Sequence, residues 1–85
     1  MSTLEKAIER IKRTPSDYTY REVKQLLEQF GFRQYNKGKT SGSRVRFFRE
    51  SDSRIINIHK PHPSDVMSIG AIKDIVNLLK GLGEI

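Results

Sequence analysis

The chain has 85 residues, and its 16 lysines and arginines outnumber its 10 acidic residues, giving a formal net charge of +6. This length predicts one domain, 1–85, with a small core and no room for a deep active-site cavity. The absence of cysteine excludes disulfides and thiolate metal sites. The first segment, MSTLEKAIERIKR, is too charged for a signal peptide, and no apolar run reaches membrane-spanning length, so we expect a cytoplasmic protein.

The positive charge is concentrated in one third of the chain, between Arg33 and Lys60. Eight of the basic residues lie in this segment with only two acids, Glu50 and Asp52, so the segment accounts for the whole net charge of +6. Charge localised in this way favours a polyanion as the partner, and RNA or DNA is the first candidate. The alternative is a solvated strand face whose basic side chains prevent edge-to-edge pairing.

Periodicity predicts three helices. The first follows a capping-box pattern of Ser2 with Glu5 and stops near Thr14-Pro15. The second follows the same pattern in Thr19 with Glu22, and Gly31 stands where a C-cap glycine belongs. The third begins near Ser68. The apolar positions that should face the core are Leu4, Ala7, Ile8 and Ile11, then Val23, Leu26, Leu27 and Phe30, then Ile69, Ile72, Ile75, Val76 and Leu79.

Between the second and third helices the apolar period changes from 3.6 to 2, which predicts three strands. Their expected ranges are 32–37, 43–49 and 54–60. The whole chain then reads as an α+β domain of order α-α-β-β-β-α. Its three-stranded antiparallel sheet should carry helices on one face and leave the other face open.

A hairpin centred on Ser51-Asp52 pairs each residue of the second predicted strand with the residue of the third strand that lies equally far from the turn. Arg44 then lies opposite His59, and Arg46 opposite Asn57. Because Val45, Phe47, Ile56 and Ile58 alternate with them, these four polar side chains should share the open face. We expect Arg44 and Arg46 to clamp phosphate, since a guanidinium group matches phosphate geometry in a bidentate way. The other expected RNA-binding residues are Arg33, Lys37, Lys39, Ser43, Asn57 and Lys60.

The same open face should present apolar side chains. Phe48 and Ile55 alternate outward with the arginines, and either could stack on a base or lie under a partner protein. The alternative is that one of them packs on the first helix or on arginine stems. RNA is favoured over DNA because no helix-turn-helix or basic recognition helix is visible.

The two histidines lie in the segment HKPHPSD. A metal site built from His59, His62 and Asp65 has usable ligands, but two prolines hold the segment extended, and we expect no metal and no cofactor. An imidazole exchanges protons near neutral pH, so His59 beside a phosphate site is a candidate general acid or base. The alternative is an exposed strand histidine with no role.

The turn Gly42-Ser43-Arg44, followed by Phe47, Ile58, Pro61 and Pro63, resembles the HicA toxins of bacterial toxin–antitoxin pairs. The resemblance covers residues 18–82, and the helix within 1–14 looks like an N-terminal extension. It implies a small basic mRNA interferase with a fold like the double-stranded-RNA-binding domain. It also implies neutralisation by a HicB antitoxin.

The chain departs from that family at one position. The family motif is Gly-Ser-His with a catalytic histidine, and Arg44 stands at the histidine position here. Arginine stays protonated, so it can stabilise a phosphate but cannot act as a base. Two expectations follow from this substitution. Either His59 supplies proton transfer in a metal-independent endoribonuclease, or the chain is a non-catalytic RNA-binding module. A basic interaction domain for an acidic partner is a third possibility.

Overall fold

The computed structural model describes residues 3–35, 44–61 and 64–85. The element order confirms the predicted α-α-β-β-β-α arrangement and the α+β class. The sheet has the order β1-β2-β3, and both pairings are antiparallel, as in the double-stranded-RNA-binding-like fold. The elements are α1 (Thr3–Lys12), α2 (Tyr20–Gln29), β1 (Arg33–Gln34), β2 (Arg44–Arg49), β3 (Arg54–His59) and α3 (Ile69–Gly81).

Strands β2 and β3 pair in the register that the symmetric hairpin predicts. Arg44 is opposite His59 and Arg46 is opposite Asn57. Burial alternates along both strands, because Val45, Phe47, Ile56 and Ile58 are buried while the residues between them are exposed, apart from the half-buried end of β2. One face of the sheet therefore belongs to the core and the other meets solvent.

The ends of α2 and α3 follow their capping signals. The Thr19 side chain accepts from the Glu22 N–H, and the Glu22 carboxylate accepts from the Thr19 N–H, which completes the predicted capping box. After α2 the chain turns sharply through Gly31, whose φ of +91° is the left-handed region that favours glycine. Helix α3 begins at Ile69, as predicted near Ser68, and the Ser68 hydroxyl caps it by accepting from the Ala71 N–H.

A single core joins the inner sheet face to the three helices. Helix α1 lies against both α2 and α3. None of the helices in the described part of the chain is long and apolar enough to cross a membrane. The buried apolar residues are Ile11, Tyr18, Tyr20, Val23, Leu26, Leu27, Phe32, Val45, Phe47, Ile56, Ile58, Met67, Ile72, Ile75, Val76 and Leu79.

An ion-pair cluster fastens α1 to the start of α2. The Arg10 Nε lies 2.7 Å from Glu22 Oε2, and the Arg10 guanidinium stacks 5.1 Å from the centroid of the Tyr18 ring. The ring itself is buried, and burial raises the pKa of the Tyr18 phenol to about 12, so it stays neutral at physiological pH. The Arg10 hydrogen bond, helped by the bonds from Thr19, holds the pKa of Glu22 below its usual value.

We predict that Glu22→Gln reduces stability at neutral pH by about 0.5–1 kcal/mol, because Glu22 serves as both a partly exposed ion pair and a capping group. A carboxyl whose pKa is lowered by folding stabilises the protein above its unfolded pKa, and this contribution disappears as the pH falls through the folded pKa. The difference between wild type and variant should therefore shrink below about pH 4. The midpoints of urea unfolding, measured at neutral pH and below about pH 4, give this difference. Glu28→Gln, which changes an exposed glutamate on the same helix, is the control. A difference that stays constant with pH would contradict the prediction.

Candidate nucleic-acid interface

The solvent-exposed face of the sheet, called the open face below, is organised in three cross-strand rows. Directly paired residues of adjacent strands share a face, and successive rows on that face lie about 6.6–6.8 Å apart along the strand. From one end of the sheet to the other, the rows are Arg44–His59, Tyr35–Arg46–Asn57 and Arg33–Phe48–Ile55.

The first row places an arginine opposite an imidazole. Arg44 is the first residue of β2 and His59 the last of β3, and their direct pairing brings their Cβ atoms to about 4.5–5.5 Å. Both side chains are exposed. Neither one forms a hydrogen bond or ion pair with any residue in the ranges 3–35, 44–61 and 64–85. Arg44 and His59 can therefore approach one phosphodiester group together.

The second row is centred on Arg46. Its Nε donates to Asn57 Oδ1 at 3.4 Å, a long and weak bond that leaves most of the guanidinium donors available. Tyr35, directly after β1, extends the β1–β2 pairing by donating its N–H to the Arg46 carbonyl at 2.7 Å. Asn57 thus contacts the Arg46 side chain from β3, and Tyr35 is placed beside Arg46 from the β1 side.

The third row brings an aromatic contact next to a third arginine. Phe48 is half-buried, and its ring centroid lies 6.2 Å from that of Tyr35 at an interplanar angle of 46°. Arg33, directly opposite Phe48 on β1, is exposed, as is Ile55 on β3. Phe48 therefore packs against Tyr35 on the open face, while Ile55 presents its side chain to solvent.

Strands β1 to β3 contain five arginines and no acidic residue. The three on the open face, Arg33, Arg44 and Arg46, have no carboxylate partner among the described residues. The acids of the basic segment, Glu50 and Asp52, lie at the β2–β3 turn. The open face therefore keeps its positive charge available for a polyanion.

Arg49 belongs to the basic segment but serves the fold. Its side chain is 11% exposed and lies 2.6 Å from Asp52 and 2.7 Å from Glu84 through its two terminal nitrogens. It also donates to the Phe30 carbonyl at 3.1 Å, and its guanidinium stacks 4.7 Å from the centre of the Phe32 ring. The pairing with Asp52 and Glu84 raises the pKa of Arg49 and lowers that of Asp52. This residue ties the chain after α3 to the sheet and is not available to a ligand.

We predict that Arg49→Leu lowers the free energy of unfolding by about 2 kcal/mol, because it leaves two partly buried carboxylates and one carbonyl without their charged donor. Arg46→Leu, which removes the same group from the exposed face, should change stability by no more than about 0.5 kcal/mol. Chemical denaturation of the two variants against wild type makes the comparison. Equal effects would show that Arg49 is not the structural arginine.

Lys60 is separated from the open face. Its ammonium lies 5.5 Å from the centroid of the buried Tyr20 ring at the start of α2, so it faces the helical side of the sheet. Lys37, Lys39 and Ser43, which were predicted to bind RNA, lie outside the described residues. Of the eight predicted RNA-binding residues, the structure thus brings together Arg33, Arg44, Arg46 and Asn57.

The metal hypothesis gains no support from the described ranges. No group of three His, Asp or Glu side chains in residues 3–35, 44–61 and 64–85 could hold an ion. His62, one of the three proposed ligands, lies outside those ranges. Asp65 instead accepts backbone N–H groups at the start of α2, from Tyr20 through its carbonyl at 2.7 Å and from Arg21 through its carboxylate at 3.4 Å.

Comparison with known proteins decides the family. A family model described as "HicA toxin of bacterial toxin-antitoxin" matches residues 20–83, about three quarters of the chain. The chain belongs to the HicA toxin family. Comparison with curated proteins and with solved structures returned no match. The HicA match begins at the first residue of α2 and ends two residues after α3, so it contains the whole open face and leaves out α1.

Membership of the HicA family makes this chain a toxin of a toxin–antitoxin system, which implies an antitoxin partner. The HicA resemblance assigns the motif histidine to the position of Arg44, and the structure pairs this arginine directly with the one described histidine of the sheet. The open face therefore contains an imidazole, although on the strand opposite the motif position.

Tyr35 is a member of the open face that sequence reasoning did not single out. The usable signal was alternation, since residues 33 and 35 of an extended segment lie on the same side. Its pairing with Arg46 places it in the second row, and its ring contacts Phe48 in the apolar third row.

Proposed function

We propose that this HicA family toxin binds mRNA on the open face and cleaves it, and that its antitoxin blocks the reaction by covering that face. The observation that carries the proposal is the direct pairing of Arg44 with His59 on a sheet face with unpaired arginines and no acidic strand residue. We further propose that residues 18–82 form the functional core, and that the toxin acts in the cytoplasm, where its RNA substrate is found.

The chemistry available to this pair is transesterification within the RNA strand. The ribose 2′-hydroxyl attacks the adjacent phosphorus, and neutral His59 accepts its proton as the 2′-O–P bond forms. The P–O5′ bond breaks, and the departing oxygen takes a proton from solvent to become a 5′-hydroxyl. The charge that develops on the pentacoordinate phosphorus is stabilised by Arg44, with Arg46 one row away holding a neighbouring phosphate. The step requires no metal ion, since the nucleophile belongs to the substrate.

A second candidate function is RNA binding without cleavage. It is favoured by Arg44 itself, because an arginine at the family's catalytic position cannot take up a proton. In this case the toxin would act by occupying mRNA. The two functions share the same contacts and differ only in whether His59 transfers a proton.

The antitoxin proposal rests on charge. A partner that neutralises three unpaired arginines should present carboxylates, and complementary charge raises the association rate of such complexes. Co-expression of the toxin with a small acidic protein encoded next to it should therefore yield a complex in which RNA no longer binds. If RNA binds equally to the complex and to the free toxin, the partner does not cover this face.

The dependence of RNA affinity on salt tests the binding claim. Each phosphate neutralised by a cation contributes about −0.7 to the slope of log K against log salt for a single strand, so three arginines predict a slope of about −2 or steeper. Titration of a labelled RNA at several salt concentrations gives this slope. A slope near zero would exclude phosphate-dominated binding and would sink the proposal.

A further inference from the structure

A shallow groove lies beside β1 at the apolar end of the open face. Its volume is about 380 Å³, which falls within the range of small-ligand sites. Tyr35 and Phe48 supply two tilted aromatic rings to it, and Tyr35 is 43% exposed. The groove, called the β1 groove below, has Arg33, Tyr35, Phe48, Arg49 and Glu50 in its lining.

We propose that the β1 groove receives an unpaired nucleobase, so that the RNA bound by the toxin is single-stranded. This inference rests on the proposed RNA-binding function and specifies its substrate class. Bases stack on exposed aromatic rings because every base has a π face, whatever its identity. The Tyr35 and Phe48 rings offer such a surface next to the arginines that would hold the strand.

The spacing of the rows suits one strand that runs across the open face. Tyr35 shares its row with Arg46, and Arg44 lies one row further, about 6.6–6.8 Å along β2. A phosphate at Arg44 and another at Arg46 therefore leave a neighbouring base within reach of Tyr35. In a duplex the bases are stacked and paired inside the helix, so none can enter a groove at the protein surface.

The lining of the β1 groove favours a base over a phosphate. Glu50 contributes a carboxylate, which repels a phosphate but can accept a hydrogen bond from a base amino group. The Arg49 side chain that also lines the groove is already neutralised by Asp52 and Glu84. Arg33, the other lining arginine, is unpaired and can hold a phosphate that flanks the bound base, while the two rings and Glu50 offer the base a stacking surface and an acceptor.

A protein partner is the competing occupant of this surface. The arrangement favours RNA because Arg33 and Arg46 flank the two rings on β1 and β2. Alternation of cationic and aromatic side chains is characteristic of surfaces that bind single-stranded nucleic acid. The antitoxin would then compete for the same groove.

Binding to a non-cleavable probe tests the inference. Fluorescent 2′-O-methyl RNA lacks the attacking hydroxyl, and it is used as a single strand and annealed to its complement. Wild type should bind the single strand more tightly, and Tyr35→Leu should weaken that binding roughly 5- to 150-fold, the effect of removing one base–aromatic stack. Tyr35→Phe keeps the ring and should bind as wild type does. Duplex binding should be the same in all three proteins, and thermal unfolding checks that each is folded.

The outcomes separate this inference from the function on which it rests. If wild type binds RNA through Arg44 and Arg46 but the duplex binds as tightly as the single strand, the base-binding inference is overturned while RNA binding stands. The base-binding inference is also overturned, and RNA binding again stands, if Tyr35→Leu binds the single strand as wild type does. The same conclusion follows if this substitution weakens only the complex with the antitoxin. Failure of wild type to bind either probe would overturn both claims.

Discussion

His59→Ala should slow RNA cleavage by about 10²- to 10⁴-fold, the usual contribution of a positioned proton-transfer group. No other described side chain on the open face can accept a proton near neutral pH, because its remaining members are arginines, an amide, a phenol and apolar groups. The rate of appearance of RNA fragments under single-turnover conditions measures this effect. Arg44 would still stabilise the transition state, so a residual rate is expected.

Binding provides the control for His59→Ala. The variant should retain its affinity for 2′-O-methyl RNA within a few-fold, since the imidazole contributes proton transfer and not phosphate charge. A parallel loss of binding and cleavage would assign His59 to substrate binding. Cleavage at the wild-type rate would remove His59 from the mechanism altogether.

The double variant Arg44→Ala, Arg46→Ala should lose at least about 10-fold in RNA affinity at physiological salt. Each arginine can form charged hydrogen bonds to phosphate, which contribute about 1.5–3 kcal/mol, and solvent exposure reduces this value at the open face. Loss of two phosphate contacts should also make the salt slope shallower by about 1.4 for a single-stranded RNA. Fluorescence titration over a range of salt concentrations gives both quantities.

A matched control exists on the other side of the molecule. Lys73 and Lys80 are exposed on α3, whose buried side packs in the core, and Lys73→Ala, Lys80→Ala removes the same total charge. If the site is the open face, this second variant should bind RNA nearly as wild type does. Equal losses in the two double variants would mean that RNA responds only to net charge.

Strand alternation and one symmetric turn were enough to predict from the sequence the cross-strand pairs of the open face, Arg44–His59 and Arg46–Asn57. The pairing of Arg44 with His59 needs only period 2 and a hairpin without a bulge, both of which are local properties. The capping box of Thr19 and Glu22 and the start of the third helix near Ser68 are equally local predictions, and both are confirmed.

Alternation and turn symmetry could not predict which basic side chains are engaged by tertiary contacts. Arg49 looks like its neighbours in sequence, but its partner Glu84 lies 35 residues away and reaches it only when α3 packs in the core. Lys60 likewise meets the Tyr20 ring through tertiary contact between β3 and the start of α2. Charge counts locate a basic segment, whereas packing decides which of its charges remain available.

Incubation of RNA with the purified toxin in excess chelator tests the central claim most directly. We predict fragments that end in a 2′,3′-cyclic phosphate and begin with a 5′-hydroxyl, formed by wild type and nearly absent with His59→Ala. Intact RNA after incubation with a wild-type toxin that binds it would contradict cleavage by the open face and leave RNA binding as the function of this surface.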